Sequence, residues 1–366
     1  MLRERWHFLG HPIFRLADRN FNVWWTDFNR SFSRTIYGLS FTHFNMRGRN
    51  EKLHINGHLG FNRKLELSYT IPGFGKKRNF GAFVNASWQS NREVFTSAEN
   101  HKQIFHRLPE YAINFIQTDL FLTYRAAHIS EFGAGISYND NQVTDTIVKL
   151  NDNFLETGKN RQRFLSASLY YRNDKRDRKI YATEGSMWEV RLKQSGLGLM
   201  SETFMTELFG VYSQFLNLGS GFYISTQLRT KFSLPREQPY LNQSSLGFLK
   251  DLVRGYEFYV IDGRHHGVFK FNFKKNIFNY NLNDGWIPGL DKLQRLPVNV
   301  YLKAFFDAGY VYDDYFYTGD FLINKPLWSA GLGLDIVTAY DFVWRVEYAV
   351  NHLGENGLYL HFLTDL

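Results

Sequence analysis

From Thr35 onward the chain alternates apolar and polar residues at every second position, in short stretches broken by Gly, Asn, Asp and small clusters of charge. A period of two sends successive side chains to opposite faces of a β-strand. In Lys52 to Leu59 the even positions Lys52, His54, Asn56 and His58 are polar, whereas Leu53, Ile55 and Leu59 occupy the other face. Phe269, Phe271 and Phe273 interleave with Lys270, Asn272 and Lys274, and Trp188, Val190 and Leu192 with Glu189, Arg191 and Lys193. Trp344, Val346, Tyr348 and Val350 do the same with Arg345, Glu347 and Ala349.

The pattern predicts about sixteen strands. They fall near residues 35–44, 51–60, 64–72, 79–89, 92–98, 115–125, 131–142 and 163–172, then 186–195, 203–217, 222–232, 267–278, 299–311, 327–338, 342–351 and 357–364. Alternation alone does not separate a membrane barrel from a soluble sandwich. Strand number and length do: many are near ten residues, the span that crosses the hydrocarbon when tilted. The expected fold is therefore all-β, a transmembrane antiparallel β-barrel.

Connection lengths sort by side, because such barrels carry short periplasmic turns and longer outward loops. Phe61 to Arg63, Ala126 to Ser130 and Tyr340 to Asp341 are expected to be short periplasmic turns. His101 to Asn114, Leu150 to Gln162, Leu234 to His266 and Asp313 to Pro326 are expected to point outward, with Asn279 to Pro297 a long connection on the periplasmic side. Residues 1–33 do not follow the barrel pattern and are expected to be an N-terminal periplasmic remnant. Residues 34–366 contain no Pro/Gly/Ser linker and are expected to form one domain, the barrel.

At 366 residues the chain is long enough for one large barrel or two ordinary soluble domains, and composition favours the first. Aromatic residues make up 18% of the chain while mean hydropathy is −0.37, which suits strands with one apolar and one wet face. No uncharged apolar run approaches the roughly 18 residues of a spanning helix, so any membrane crossing falls to strands. Cysteine is absent, which excludes disulfides and thiolate metal sites. The net charge of +8 is spread singly among carboxylates, as in solvated loops and a wet lumen, and does not mark a nucleic-acid surface. Met1 to Arg15 carries charges where a signal peptide needs an apolar core, so a mature form or a fragment is expected.

Enzyme signatures are missing: there is no Gly-x-Ser-x-Gly elbow, phosphate loop, His-Glu-x-x-His or dinucleotide fingerprint. His265 and His266 lack a third ligand and read as solvated loop residues, so neither metal nor cofactor is expected. A Ser and a His assembled on adjacent lipid-facing strands would still make a barrel lipase, which spacing does not reveal. The most informative stretch is Val253-Arg254-Gly255-Tyr256, followed by Ile261-Asp262-Gly263, within the longest outward segment. Were this loop folded into the lumen, Arg254 would need a buried carboxylate and Gly255 would let the backbone pass close to the wall. Asp307 shares the wet parity of Lys303, Phe305 and Gly309 and is the candidate partner. The alternative is an ordinary exposed loop with an exposed arginine.

These residues resemble a known family, the BamA/TamA-type outer-membrane assembly and translocation proteins, which also include two-partner secretion transporters. Val253 to Tyr256 looks like that family's sixth-loop motif, and Phe305-Phe306-Asp307-Ala308-Gly309 with Val311 like its aromatic-Asp-x-Gly-x-Val strand. Asp174-Lys175-Arg176-Asp177 leading to Gly185 is similar to its Asp-x-Arg-Asp turn, and Gly331-Leu332-Gly333 and the closing Gly357 to Phe362 strand follow in order. Ala182 stands where the family usually has proline, Lys270 or Asn272 where an acidic residue is common, and the chain closes on Leu363 to Leu366 without a terminal aromatic. The pattern is that of a divergent member.

The resemblance implies a Gram-negative-type outer membrane, with outer-membrane lipid and lipopolysaccharide around the barrel. It implies unfolded client β-barrel polypeptides as partners, upstream POTRA domains of which residues 1–33 would be the end, accessory lipoproteins, and no catalysis. It further implies a lateral seam between the first strand, at Tyr37 and Gly38, and the last, at Gly357, Leu358 and Phe362. A passive porin-like channel, a two-partner-secretion-type exporter and a barrel lipase remain as alternatives. If Arg254 pairs with Asp307, exchanging the two charges is expected to restore part of the stability that either single alanine substitution removes.

Overall fold

The computed structural model describes residues 7–200, 203–243, 246–248, 250–282, 296–315, 321–338 and 342–361. The chain opens with β1 (Phe8–Leu16), a short helix α1 (Phe21–Thr26), β2 (Thr35–Phe44), β3 (Lys52–Gly60), β4 (Asn62–Phe74) and β5 (Phe80–Asn91). A hairpin of β6 (Glu93–Glu99) and β7 (Lys102–Arg107) follows, then β8 (Ile113–Ala127), β9 (Ser130–Val143), helix α2 (Asp145–Leu150) and β10 (Arg161–Asp174). Next come β11 (Gly185–Ser195), β12 (Met205–Gly219), β13 (Phe222–Leu234) and β14 (His265–Leu282). The chain continues through β15 (Leu296–Tyr312), β16 (Pro326–Val337), β17 (Val343–Asn351) and β18 (Asn356–His361).

All strands except β6 and β7 form one 16-stranded antiparallel sheet, in chain order from β1 to β18, with β5 paired directly to β8. The sheet is the wall of a transmembrane barrel. Its outer face is apolar: Phe269, Phe273, Trp188, Trp344 and Tyr348 are each about 40–50% exposed to the outside, while Lys270, Asn272, Lys274 and Glu347 of the same strands are buried inward. So much exposed aromatic and aliphatic surface is anomalous in water and ordinary in lipid, where the paired wall also satisfies the backbone.

Three expectations are corrected. Within the stretch expected to be a periplasmic remnant, Phe8–Leu16 is the first wall strand, paired over its length with β2, and residues 17–34 form the loop that follows it. The stretch 92–98 is extended but lies outside the wall, in the β6–β7 hairpin. The turn at Phe61 lies at the same end as the long loops, not opposite them. One cause links all three. Missing β1 inverted the assigned side of every early connection, and counting 92–98 as a crossing inverted it back, so the total of sixteen and the later loops came out right.

At the long-loop end the connections are 17–34, 61, 92–112, 144–160, 196–204, 235–264, 313–325 and 352–355, so 235–264 is the sixth (loop 6) and 17–34 the first (loop 1). The connections after β2, β4, β8, β10, β12, β14 and β16 face the other end, hereafter the short-turn end. Positions 340–341 and the connection after β14, residues 283–295, lie outside the described residues. His265 and His266 are not solvated loop residues. They open β14, where His265 Nδ1 accepts the Ser233 N–H at 3.0 Å and His266 is buried.

Of the four apolar clusters among the described residues, two are the larger ones. One joins Leu246, Val253, Tyr256 and Ile261 of loop 6 to Val268, Val311 and Leu327 of the wall. The other packs Val94, Ile113, Val143, Ile147 and Phe154 under loops at the long-loop end. Leu120 faces outward between Val84 and Ile136 in adjacent strands. We expect Leu120→Arg to lower folding stability in lipid vesicles by about 2–4 kcal/mol, measured from urea-dependent gel mobility, while lumen-facing Asn139→Lys changes it by under about 1 kcal/mol.

Candidate functional site

Strand β15 explains why its motif has a spacing of two. Phe305, Asp307, Gly309 and Val311 all point inward, and loop 6 folds against them. Arg254 is 8% exposed and Asp307 fully buried. The guanidinium grips that carboxylate with both edges: Arg254 Nε donates to Asp307 Oδ2 at 2.8 Å and Nη2 to Oδ1 at 2.5 Å. The Arg254 backbone N–H adds a third bond to Oδ2 at 3.0 Å. Phe305 lies under the guanidinium, 3.9 Å from its carbon to the ring centre. A Cβ at position 309 would lie 2.6 Å from Val253 Cγ2, so glycine there makes room for the loop.

The rest of the motif is equally local. Gly255 has φ +86°, a left-handed backbone that favours glycine, and a Cβ there would crowd Ser329, Ala349 and Asn351 at 3.3–3.5 Å. Asn351 Nδ2 donates to the Gly255 carbonyl at 2.9 Å. Tyr256 is buried, and its hydroxyl donates to the Trp328 carbonyl at 3.3 Å and contacts His352 Nδ1.

Arg254 also holds residues that sequence reasoning did not assign. Its Nη1 donates to Glu347 Oε1 at 2.9 Å and to Asn272 Oδ1 at 2.7 Å. Lys303 Nζ then bridges Glu347 at 2.7 Å and Asp335 at 2.5 Å. The inward parity of Glu347 is visible in the alternation of its strand, but parity does not say which of several wet carboxylates meets the arginine.

Asp335 is where the second motif arrives. Between Asp174 and Gly185 the chain makes a turn at the short-turn end, closed by Arg176 donating to Asp174 Oδ2 at 2.8 Å. Asp177 accepts the Thr183 N–H at 2.9 Å and the Glu184 N–H at 3.1 Å. Partial burial alone would raise the Asp177 pKa, but these bonds and the Thr183 hydroxyl hold it below the usual carboxylate range. Gly185 has φ +100°, and a Cβ would lie 2.1 Å from the Lys175 carbonyl. The turn pushes Tyr181 into the lumen, where its hydroxyl donates to Asp335 Oδ2 at 2.9 Å and its ring packs on Tyr301. A continuous polar chain thus runs Arg254, Glu347, Lys303, Asp335, Tyr181, joining loop 6 to the opposite end of the barrel.

At the two ends of the sheet, Gly357 and Leu358 lie on the last described strand, β18, with Leu358 65% exposed on the lipid face. Phe362 lies outside the described residues. Tyr37 and Gly38 are not on the first strand, because β1 precedes theirs; Ile13 and Phe14 are their register partners on it. Gly38 instead permits close packing on β3, since a Cβ there would lie 2.1 Å from the Gly57 carbonyl. The edge N–H of Leu360 in β18 donates to Asn22 Oδ1 of α1 at 3.2 Å. Loop 1 is in turn tied to loop 6: Arg19 Nη1 donates to the Gly247 and Tyr259 carbonyls at 3.0 Å each, and Asn20 Nδ2 to the Glu257 carbonyl at 2.9 Å. Burial lowers the Arg19 pKa to about 10, against the pull of Asp27, Glu257 and Asp18, so it stays charged at neutral pH. Glu257 completes the bridge, lying 3.4 Å from His361 of β18.

Residues 45–359 match the Omp85 superfamily domain. Among solved structures, the chain is similar to BamA from Haemophilus ducreyi lacking POTRA domains 1–3. That match has a TM-score of 0.67 and 17% identity, over 98% of this chain and 69% of that one. CdiB from Escherichia coli gives TM-score 0.63 and 12% identity over 98% of this chain and 63% of that one. CdiB from Acinetobacter baumannii gives 0.55 and 11%, over 90% and 56%. No curated protein matches the chain.

Arg254→Ala would leave the buried Asp307 without its ion-pair partner and Glu347 with Lys303 in place of two cations, and we expect a stability loss on the order of 3–5 kcal/mol in urea titrations. The structure changes the expected result of exchanging the charges of Arg254 and Asp307. A carboxylate at position 254 would face Glu347, so the exchanged protein should be no more stable than Arg254→Ala. Tyr181→Phe removes one bond to a charged group and should lower stability by about 1.5–3 kcal/mol, with loop 6 still protected from added protease.

Proposed function

This chain belongs to the Omp85 superfamily, and we propose that it inserts or translocates client polypeptides through a lateral seam between β1 and β18 in a Gram-negative-type outer membrane. The observation that carries the reading is that loop 6 reaches both sides of that seam, bonding to loop 1, which follows β1, through Arg19 and Asn20 and bringing Glu257 within 3.4 Å of His361 on β18. The work is mechanical and involves no bond chemistry. In a bilayer an edge strand cannot leave its N–H groups unpaired. Here a side chain, Asn22, satisfies the Leu360 N–H. A single side-chain acceptor is displaced more readily than a strand, so an incoming client segment replaces it by adding its own backbone to the edge.

On this reading the partners are unfolded client β-strands, the surrounding outer-membrane lipid, and upstream POTRA domains with accessory lipoproteins that deliver the client. Export of a single partner polypeptide is the second reading, favoured by the likeness to the two CdiB barrels.

The chain lacks cysteine, so paired cysteines introduced at Asn22 and Leu360 form a lock that reductant reverses. We expect the oxidised lock to stop client insertion into vesicles that contain the barrel, and reductant to restore it. Full activity in the oxidised, fully cross-linked protein would falsify the seam mechanism.

A further inference from the structure

A cleft of about 190 Å³ opens at the long-loop end where the β3–β4 turn meets loop 1 and the β6–β7 hairpin, lined by Arg63, Arg92, Arg107 and Tyr111. Arg63 is stacked between two rings, 3.6 Å from the centre of Tyr111 and 4.6 Å from that of Trp88. Arg92 leans on Tyr111 from 4.9 Å. The one carboxylate in the lining, Glu93, is already paired with Arg34, which also pairs with Asp18 at 2.7 Å. Among the described residues none of the three arginines of the cleft has an ion-pair partner, and the buried Arg63 Nε has no hydrogen-bond acceptor. Three guanidiniums gathered in one cleft without a counter-charge, two of them resting on aromatic faces, repel one another. Such a cluster is stable in the presence of a multivalent anion that accepts from several of them.

Position decides what carries the anion. Arg63 has the outward parity of Leu65 and Leu67, and Leu65 is the register partner of Trp88. Leu59, at the mouth, is 58% exposed on the same lipid-facing surface. Outward tryptophan beside arginine at the end of the apolar band marks the level of lipid headgroups. We propose that this cleft binds the phosphate of an anionic lipid in the leaflet at the long-loop end, with Arg63 and Arg92 as the principal donors and the acyl chains lying along Leu59, Leu65 and Trp88. The site is separate from the seam and does not depend on what the barrel transports.

The test is native mass spectrometry of the full chain in detergent, titrated with diphosphoryl lipid A, with phosphatidylcholine and with inorganic phosphate. We expect wild-type protein to retain one diphosphoryl lipid A, and R63Q/R92Q, with native heat-modifiable mobility, to bind it at least about tenfold more weakly. R47Q/R78Q, a basic pair at the opposite end, is expected to bind as wild type. Should R63Q/R92Q fail to fold, R107Q alone, on the exposed hairpin, is expected to weaken binding by about threefold. Unchanged affinity in the folded variant, or an equal loss in R47Q/R78Q, overturns the site. Binding of phosphatidylcholine or of inorganic phosphate as tight as that of lipid A overturns its assignment to a phosphorylated lipid headgroup.

Discussion

A guanidinium withdrawn from water stays charged only if carboxylates and acceptors replace its hydration, and Arg254 imposes that requirement on the whole lumen. Asp307 meets it with two parallel bonds and Glu347 with a third, on strands two apart in the sheet. Each carboxylate then has its own need for cations and donors, which Lys303 meets for Glu347 and Asp335, and Tyr181 completes. The loop motif and the Asp-x-Arg-Asp turn are far apart in sequence and at opposite ends of the barrel, yet they terminate the same chain of contacts. The small residues facing this chain follow from it: a side chain at Gly309 would meet Val253, and one at Gly331 would meet the Phe305 ring that supports the guanidinium.

The barrel and its anchor were largely legible in the sequence because a strand repeats every two residues. Period alone gives the lipid face, the wet face and the inward parity of Asp307, and it gave them correctly in β14, β15 and β17. It says nothing about which sheet a strand joins, so the β6 segment was counted as wall when its partner is β7. It also fails where alternation is weak. Phe8–Leu16 carries Gly10 and Pro12 and reads as irregular, but proline is tolerated in the terminal strand of a sheet, and pairing with β2 makes this the first strand. The contacts of Asn22, Arg19 and Glu347 were not legible for a further reason. They are set by how the barrel curves and by where loop 6 rests, and neither leaves a local pattern.

Loop 6 therefore has two attachments of different character. Its root in the lumen is a desolvated ion pair with several acceptors, costly to break. Its contacts at the sheet ends are two hydrogen bonds from Arg19, one from Asn20 and the approach of Glu257 to His361. In the proposed seam mechanism, a firm root with weaker contacts at the edges would keep the loop in place while the edges part. Asn272, at an inward position of β14, accepts from the same guanidinium and ties a further wall strand to the root of the loop.

The account stands on Arg254 holding loop 6 and, through it, the edge at β18. Backbone hydrogen exchange of wild-type and Arg254→Ala barrels in lipid nanodiscs measures this most directly. Faster exchange at Gly255, Tyr259 and Leu360, with β8 to β10 unchanged, is the predicted result. Protection at those three amides equal to wild type in the variant would contradict the claim.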